Sequence, residues 1–140
     1  MKILGGTSRA SVLTLRKALT DAVSKQSAND AATFASELFT ILTVLSSSVG
    51  LRRALTDNSR DKSAKADLIS NLFGKNIKAE AQALLATAAS LRWSSPAELA
   101  DAVEQLAVEA QSAAAEKSNE QESLESELFD FARVLIANPD

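Results

Sequence analysis

The sequence has no cysteine and no histidine, two prolines, four glycines and one tryptophan in 140 residues. Without cysteine there is no disulfide frame and no thiolate metal site. Without histidine the commonest general base and the commonest zinc ligand are missing. Aromatic residues make up 4% of the chain, too few for the β-branched and aromatic pattern that strands favour. There is no secretory signal pattern, and no apolar run approaches the ~20 residues of a membrane span. What remains is alanine, the best helix former, with Leu, Ser, Glu and Lys. The chain reads as soluble, cytoplasmic and all-α. At this length it can bury roughly two thirds of its unfolded surface without staples.

Charge is unevenly spread. The formal net charge is −3, but residues 1–97 carry 13 Lys and Arg against 7 Asp and Glu, whereas residues 98–140 carry 2 against 11. The basic excess centres on Arg52, Arg53, Arg60, Lys62, Lys65, Lys75 and Lys78. Asp57, Asp61 and Asp67 interrupt it, and no aromatic side chain interleaves with it for base stacking. No nucleic-acid partner is expected; solvated helix faces explain the pattern.

Apolar spacing predicts a series of short helices. The first covers about 8–26, with Val12, Leu15, Leu19, Ala22 and Val23 in one stripe. The second runs to about 46 with Phe34, Leu38, Ile41, Leu42 and Leu45 inward. A short third helix spans 49–55, with Val49, Leu51 and Leu55 facing in. Ser59 is the expected N-cap of a fourth helix whose inward set is Ala64, Leu68, Ile69, Leu72 and Phe73. Gly74 suits the left-handed position past its end. The fifth helix covers about 77–91, with Ala81, Leu84, Leu85 and Ala88 as core. Ser95-Pro96-Ala97-Glu98 reads as a capping box with Pro at the first helical position. The sixth helix then runs to about 117, with Leu99, Ala102, Val103, Leu106 and Ala110 inward. Ser118-Asn119 predicts a break, and a last helix over 120–137 carries Leu124, Leu128, Phe131 and Leu135. Asn138-Pro139-Asp140 would stop it.

An internal repeat accompanies these helices. Ser36-Glu37-Leu38-Phe39 recurs as Ser126-Glu127-Leu128-Phe129, and Val44-Leu45 recurs as Val134-Leu135 at the same offset. Either two amphipathic helices are alike by chance, or a helical unit is duplicated with its second copy starting near Ser95. On the second reading the chain stops before that copy's third helix. The expected organisation is then a flexible N-terminal segment at 1–7, a six-helix bundle at 8–117, and an extra helix at 118–140 that starts a second repeat and shares the sixth helix.

Catalytic chemistry is hard to place. Gly5-Gly6-Thr7-Ser8 lacks the spacing and the Lys of a phosphate loop. No serine has a histidine base. Glu120, Glu122, Glu125 and Glu127 could in principle hold a metal, but a solvated acidic face is the plainer reading. No metal and no cofactor are expected. The fifth helix shows something subtler: away from its leucine stripe, Ala79, Ala83, Ala86 and Ser90 share a face. Exposed helix faces usually carry long polar side chains. Either this face packs inside the bundle, with alanine a neutral helix former, or it accepts a partner helix at close range. If the first helix lies beside the fifth, Leu13, Thr14, Lys17, Ala18 and Asp21 supply the opposite wall.

The order of these pieces resembles a known family. Leu51-Arg52-Arg53-Ala54-Leu55-Thr56-Asp57, Ser63-Ala64-Lys65-Ala66-Asp67-Leu68-Ile69 with Leu72-Phe73-Gly74, Ala83-Leu84-Leu85 and Leu91-Arg92 look like the N-terminal domain of the delta subunit of F-type ATP synthase, over about residues 8–112. The mitochondrial equivalent is the oligomycin-sensitivity-conferring protein. The repeat is similar to the long form of that subunit, which in some proteins is fused behind a b-type stalk segment. The opening Ser8-Arg9-Ala10-Ser11-Val12 departs from the family's usual Ala-Arg-Pro-Tyr-Ala. The resemblance implies a six-helix bundle, followed here by one further C-terminal helix. It implies a non-catalytic subunit on the peripheral stalk, at the cytoplasmic side of the membrane, without direct membrane insertion and monomeric in isolation. Its partners would be N-terminal helices of the alpha subunits, gripped between the first and fifth helices, and a b-type stalk subunit through other segments. An unrelated helical adaptor that binds an amphipathic partner helix is the alternative.

Overall fold

The structure, a computed structural model, describes residues 4–137, with side chains through Arg133. Among the described residues it contains six helices and no strand: α1 (Gly6–Ser24), α2 (Ala28–Ser47), α3 (Val49–Thr56), α4 (Lys62–Phe73), α5 (Ala79–Ser90) and α6 (Pro96–Ala137). The expected all-α bundle is present. α2 lies along α6 in the most extensive pairing. α1 touches α5 and α6, and α4 packs on α5. Local chemistry sets several boundaries. Ser27 accepts the Asp30 N–H to start α2, and Ser48 accepts the Leu51 N–H to start α3. At Ser48 the chain bends by 105° between those helices. Arg52 then reaches back to the Leu45 and Ser46 carbonyls at the end of α2, groups that a helix end leaves unpaired.

The core follows the predicted stripes closely on four helices. Leu15, Leu19 and Val23 of α1, with Phe34, Leu38, Ile41 and Leu45 of α2, meet Ala81, Leu84, Leu85 and Ala88 of α5 and Leu99, Val103, Leu106 and Ala110 of α6. Fully burying one such leucine or isoleucine contributes roughly 1.5–3 kcal/mol. A smaller cluster joins Leu4, Val12 and Ala102, with Trp93 against it.

α4 is turned relative to expectation. Lys65, Ile69 and Phe73 are buried, Leu68 is half-buried, and Ala64 and Leu72 are exposed. The Lys65 ammonium explains the rotation. It donates to the Ala89 carbonyl at 2.8 Å, in the last turn of α5, where carbonyls lack helical partners and a cation is favoured. Val49 on α3 is likewise exposed.

Other local expectations are corrected. Ser59 does not cap α4. Asp61 stands at that position, and Ser59 donates its N–H and Oγ–H to Asp57 within the preceding turn. These bonds hold the Asp57 carboxyl below the usual carboxylate range. Gly74 is right-handed, with φ −57°. It is needed for close approach, since a Cβ there would stand 2.4 Å from the Ser70 carbonyl oxygen. Within the segment expected before the first helix, Leu4 is buried and α1 already begins at Gly6, while Gly6 and Thr7 are exposed. Residues 1–3 lie outside the described residues.

The break at Ser118-Asn119 is absent, and α6 is one helix of 42 residues, about 63 Å at 1.5 Å per residue. The further C-terminal helix is therefore the continuation of α6. Neither Ser nor Asn bars a helix as Pro does, and Lys117 is used at that point: it donates to the Gln26 carbonyl at 2.6 Å, just past α1. Beyond it Leu124, Leu128 and Phe131 are more than half exposed. The Leu135 side chain and the Asn138-Pro139-Asp140 stop lie outside the described residues.

Candidate partner-helix groove

α1 and α5 are neighbours, which the sequence could only suppose. They run antiparallel. Ser11 near the start of α1 donates to the Arg92 carbonyl just after α5, at 2.6 Å. At the other end Ala22, Lys25 and Gln26 share a cleft of about 300 Å³ with Lys78 and Glu80. Leu13 and Thr14 therefore sit toward the Ser90 end of α5, and Asp21 toward the Ala79 end.

The candidate residues fall into two groups. Leu13 (59% exposed), Thr14, Lys17 and Asp21 on α1, and Ala79 and Ala83 on α5, are open to solvent. Ala18 and Ala86 are half-buried and lean on the core, and Ser90 is half-buried. The buried alanines of α5 are others, Ala81, Ala88 and Ala89. The exposed α5 positions thus carry small side chains, while α1 presents Leu13, Thr14, Lys17 and Asp21 to solvent. The strip between the helices is also more apolar than its composition suggests. Thr14 donates to Ala10 O, Thr87 to Ala83 O and Ser90 to Thr87 O. Each hydroxyl is spent on its own helix, so these side chains offer mainly hydrocarbon outward. Thr87 also belongs to this face by its i+4 spacing from Ala83, a position whose polar side chain gives no sign of it in the sequence.

Two carboxylates that support the walls were not anticipated as such. Glu98 was expected to close a capping box on its own helix. It keeps a long bond from Ser95 Oγ–H to its Oε2, 3.5 Å, but its shorter bonds go to α1: Oε1 accepts the Gly5 N–H at 2.8 Å and Oε2 accepts the Ser8 Oγ–H at 3.2 Å. Ser8 Oγ in turn accepts the Ser94 N–H at 2.8 Å. The 95–98 segment thus both opens α6 and joins it to α1. Glu37, half of the repeated Glu-Leu pair, is buried and accepts the Lys78 N–H at 2.6 Å, at the start of α5.

No family model matches the chain. Individual curated proteins do. An ATP synthase subunit delta of Kineococcus radiotolerans is 40% identical over 134 residues, covering 96% of this chain and 48% of that protein. One of Streptomyces coelicolor is 36% identical over 140 residues, 100% of this chain and 51% of that protein. One of Renibacterium salmoninarum is 41% identical over 111 residues, 76% of this chain and 41% of that protein. The chain belongs to the ATP synthase delta-subunit family. It spans about half the length of the curated relatives it matches.

Two further surfaces of this delta-family chain bear on chemistry. A concavity of about 620 Å³ opens where α6 overruns α2, between Ala28, Ala32, Ser36, Ala115 and Ser118. Among the described residues no three acidic side chains converge to hold a metal ion. Glu120, Glu122, Glu125 and Glu127 instead spread along exposed helix. No single helix among the described residues is long and apolar enough to cross a membrane.

Proposed function

We propose that this chain is a peripheral-stalk component of an F-type ATP synthase. It binds N-terminal helices of the alpha subunits at the top of F1 and couples F1 to the stator, supporting proton-driven ATP synthesis. Membership in the delta family supports the assembly. The observation that carries the mode of binding is the uncovered small-residue face of α5, Ala79 and Ala83, on a helix that packs antiparallel against α1, whose Leu13, Lys17 and Asp21 are also exposed. A helix can approach such a strip closely, because the interaxial distance is set by the side chains at the contact.

The role is structural and non-catalytic: gripping and holding need surface complementarity, not a nucleophile or base. The chain works peripherally, at the cytoplasmic side of the membrane, and meets a b-type stalk subunit through other segments. Residues 118–140 open a second helical unit in this reading. Leu38 and Ile41 are buried while their repeat counterparts Leu128 and Phe131 are 60% and 63% exposed, as expected for a unit whose remaining helices are not part of this bundle.

Amide shift mapping with a synthetic alpha-subunit N-terminal helix tests the binding mode. Perturbations should concentrate on Leu13, Thr14, Lys17, Ala18 and Asp21 and on Ala79, Ala83, Ala86 and Ser90. Perturbations confined to the α2–α6 concavity or the end of α6 would move the site. Absence of any interaction with purified F1 would favour an unrelated helical adaptor.

A further inference from the structure

We propose that Glu37 and Glu98 are positioning residues for the groove, each holding one wall by its N-terminus and at opposite ends. This rests on the reading of the α1/α5 strip as the partner site. α2 and α3 are capped by their own Ser27 and Ser48. The two wall helices have no such cap: Gly5 before α1 has no side chain, and Lys78 before α5 makes no side-chain cap bond. Each N-cap N–H is met by a carboxylate from a helix behind the wall, Gly5 by Glu98 of α6 at 2.8 Å and Lys78 by Glu37 of α2 at 2.6 Å. A negative acceptor there satisfies an orphan donor and complements the positive end of the helix dipole. Because α1 and α5 are antiparallel, Glu98 anchors the Leu13 and Ser90 end, and Glu37 anchors the Ala79 and Asp21 end.

The anchors are built to be rigid. Glu37 is 9% exposed. On the Glu98 side, the chain at Gly5 passes so close to the turn before α6 that an added Cβ would stand 2.4 Å from Ser94 Oγ. A partner helix seated over small side chains senses the separation of both walls, so loosening either end weakens the grip.

Amide hydrogen exchange on the full chain, with a parallel titration of a synthetic alpha-subunit N-terminal helix, tests this. In the free chain Glu37→Ala should speed exchange at residues 82–85 by about tenfold and leave 9–12 unchanged; Glu98→Ala should do the reverse. Each should weaken peptide binding by about tenfold, the scale of one charge-assisted bond. Glu37→Gln and Glu98→Gln keep one acceptor oxygen but not the charge, and should restore part of both effects. Exchange that rises evenly through all helices, or at the same end for both alanine variants, would overturn the proposal. If the wild-type chain does not bind the peptide, the groove reading fails, while the exchange pattern still decides whether the carboxylates hold opposite ends.

Discussion

Lys65 shows how much one residue can redirect. A lysine inside a helical stripe is normally assigned to solvent, yet here it is 4% exposed and tied to the Ala89 carbonyl. Burial pushes its pKa below the ordinary 10.5, opposed by the charge of Asp57. The unfolded chain keeps the proton up to about that ordinary value, while the folded chain releases it earlier. Between the lowered pKa and 10.5 the unfolded state binds more protons, so stability rises with pH. Urea unfolding at several alkaline pH values should show wild type gaining on Lys65→Met as pH approaches 10.5; a pH-independent difference would contradict this. Gly5 makes a second test. The contact that a Cβ would meet is the Ser94 side chain, in the turn before α6. Gly5→Ala should destabilise by about 1–3 kcal/mol, the range for forcing extra volume into packed structure. An unchanged denaturation midpoint would show that Ser94 yields freely. Neither residue could be found by periodicity, because both depend on partners far along the chain.

At the scale of elements, legibility follows burial. α1, α2, α5 and the first half of α6 bury broad apolar stripes, and 3.6-residue spacing located them. α4 buries only three residues. Its buried row is Lys65, Ile69 and Phe73, four apart, and the buried amine takes a place that an apolar side chain was expected to fill. α6 divides in two. Leu106 is 1% exposed and sits in the main core, whereas Leu128 is 60% exposed on the same helix. Leu106→Ala should therefore destabilise by about 2–5 kcal/mol, and Leu128→Ala by less than about 0.5 kcal/mol, by thermal or urea denaturation. Equal effects would mean that the outer half of α6 is covered. The Ser118-Asn119 break was misread because polar residues only weaken a helix, and Lys117 secures α6 to the end of α1 at that point.

For the whole molecule, the charge division takes a concrete form. The bundle through residue 97 is basic and the long α6 carries most of the acidic groups. The class, the number of bundle helices and the family were legible in the sequence. The adjacency of α1 and α5 was not, since short helices of similar length pack in many orders, and neither were the carboxylates that hold both helices from behind. The central claim is that the small-residue strip between α1 and α5 receives a helix of the alpha subunit. Ala83 is exposed, so Ala83→Arg should leave the fold within about 0.5 kcal/mol of wild type while placing a long charged side chain where a partner backbone would lie. The most direct measurement is the affinity of a synthetic alpha-subunit N-terminal helix for wild type and for Ala83→Arg, with helical content checked in both. Loss of binding by about a hundredfold or more in a folded variant is the expected result. Unchanged affinity in a folded variant would contradict it.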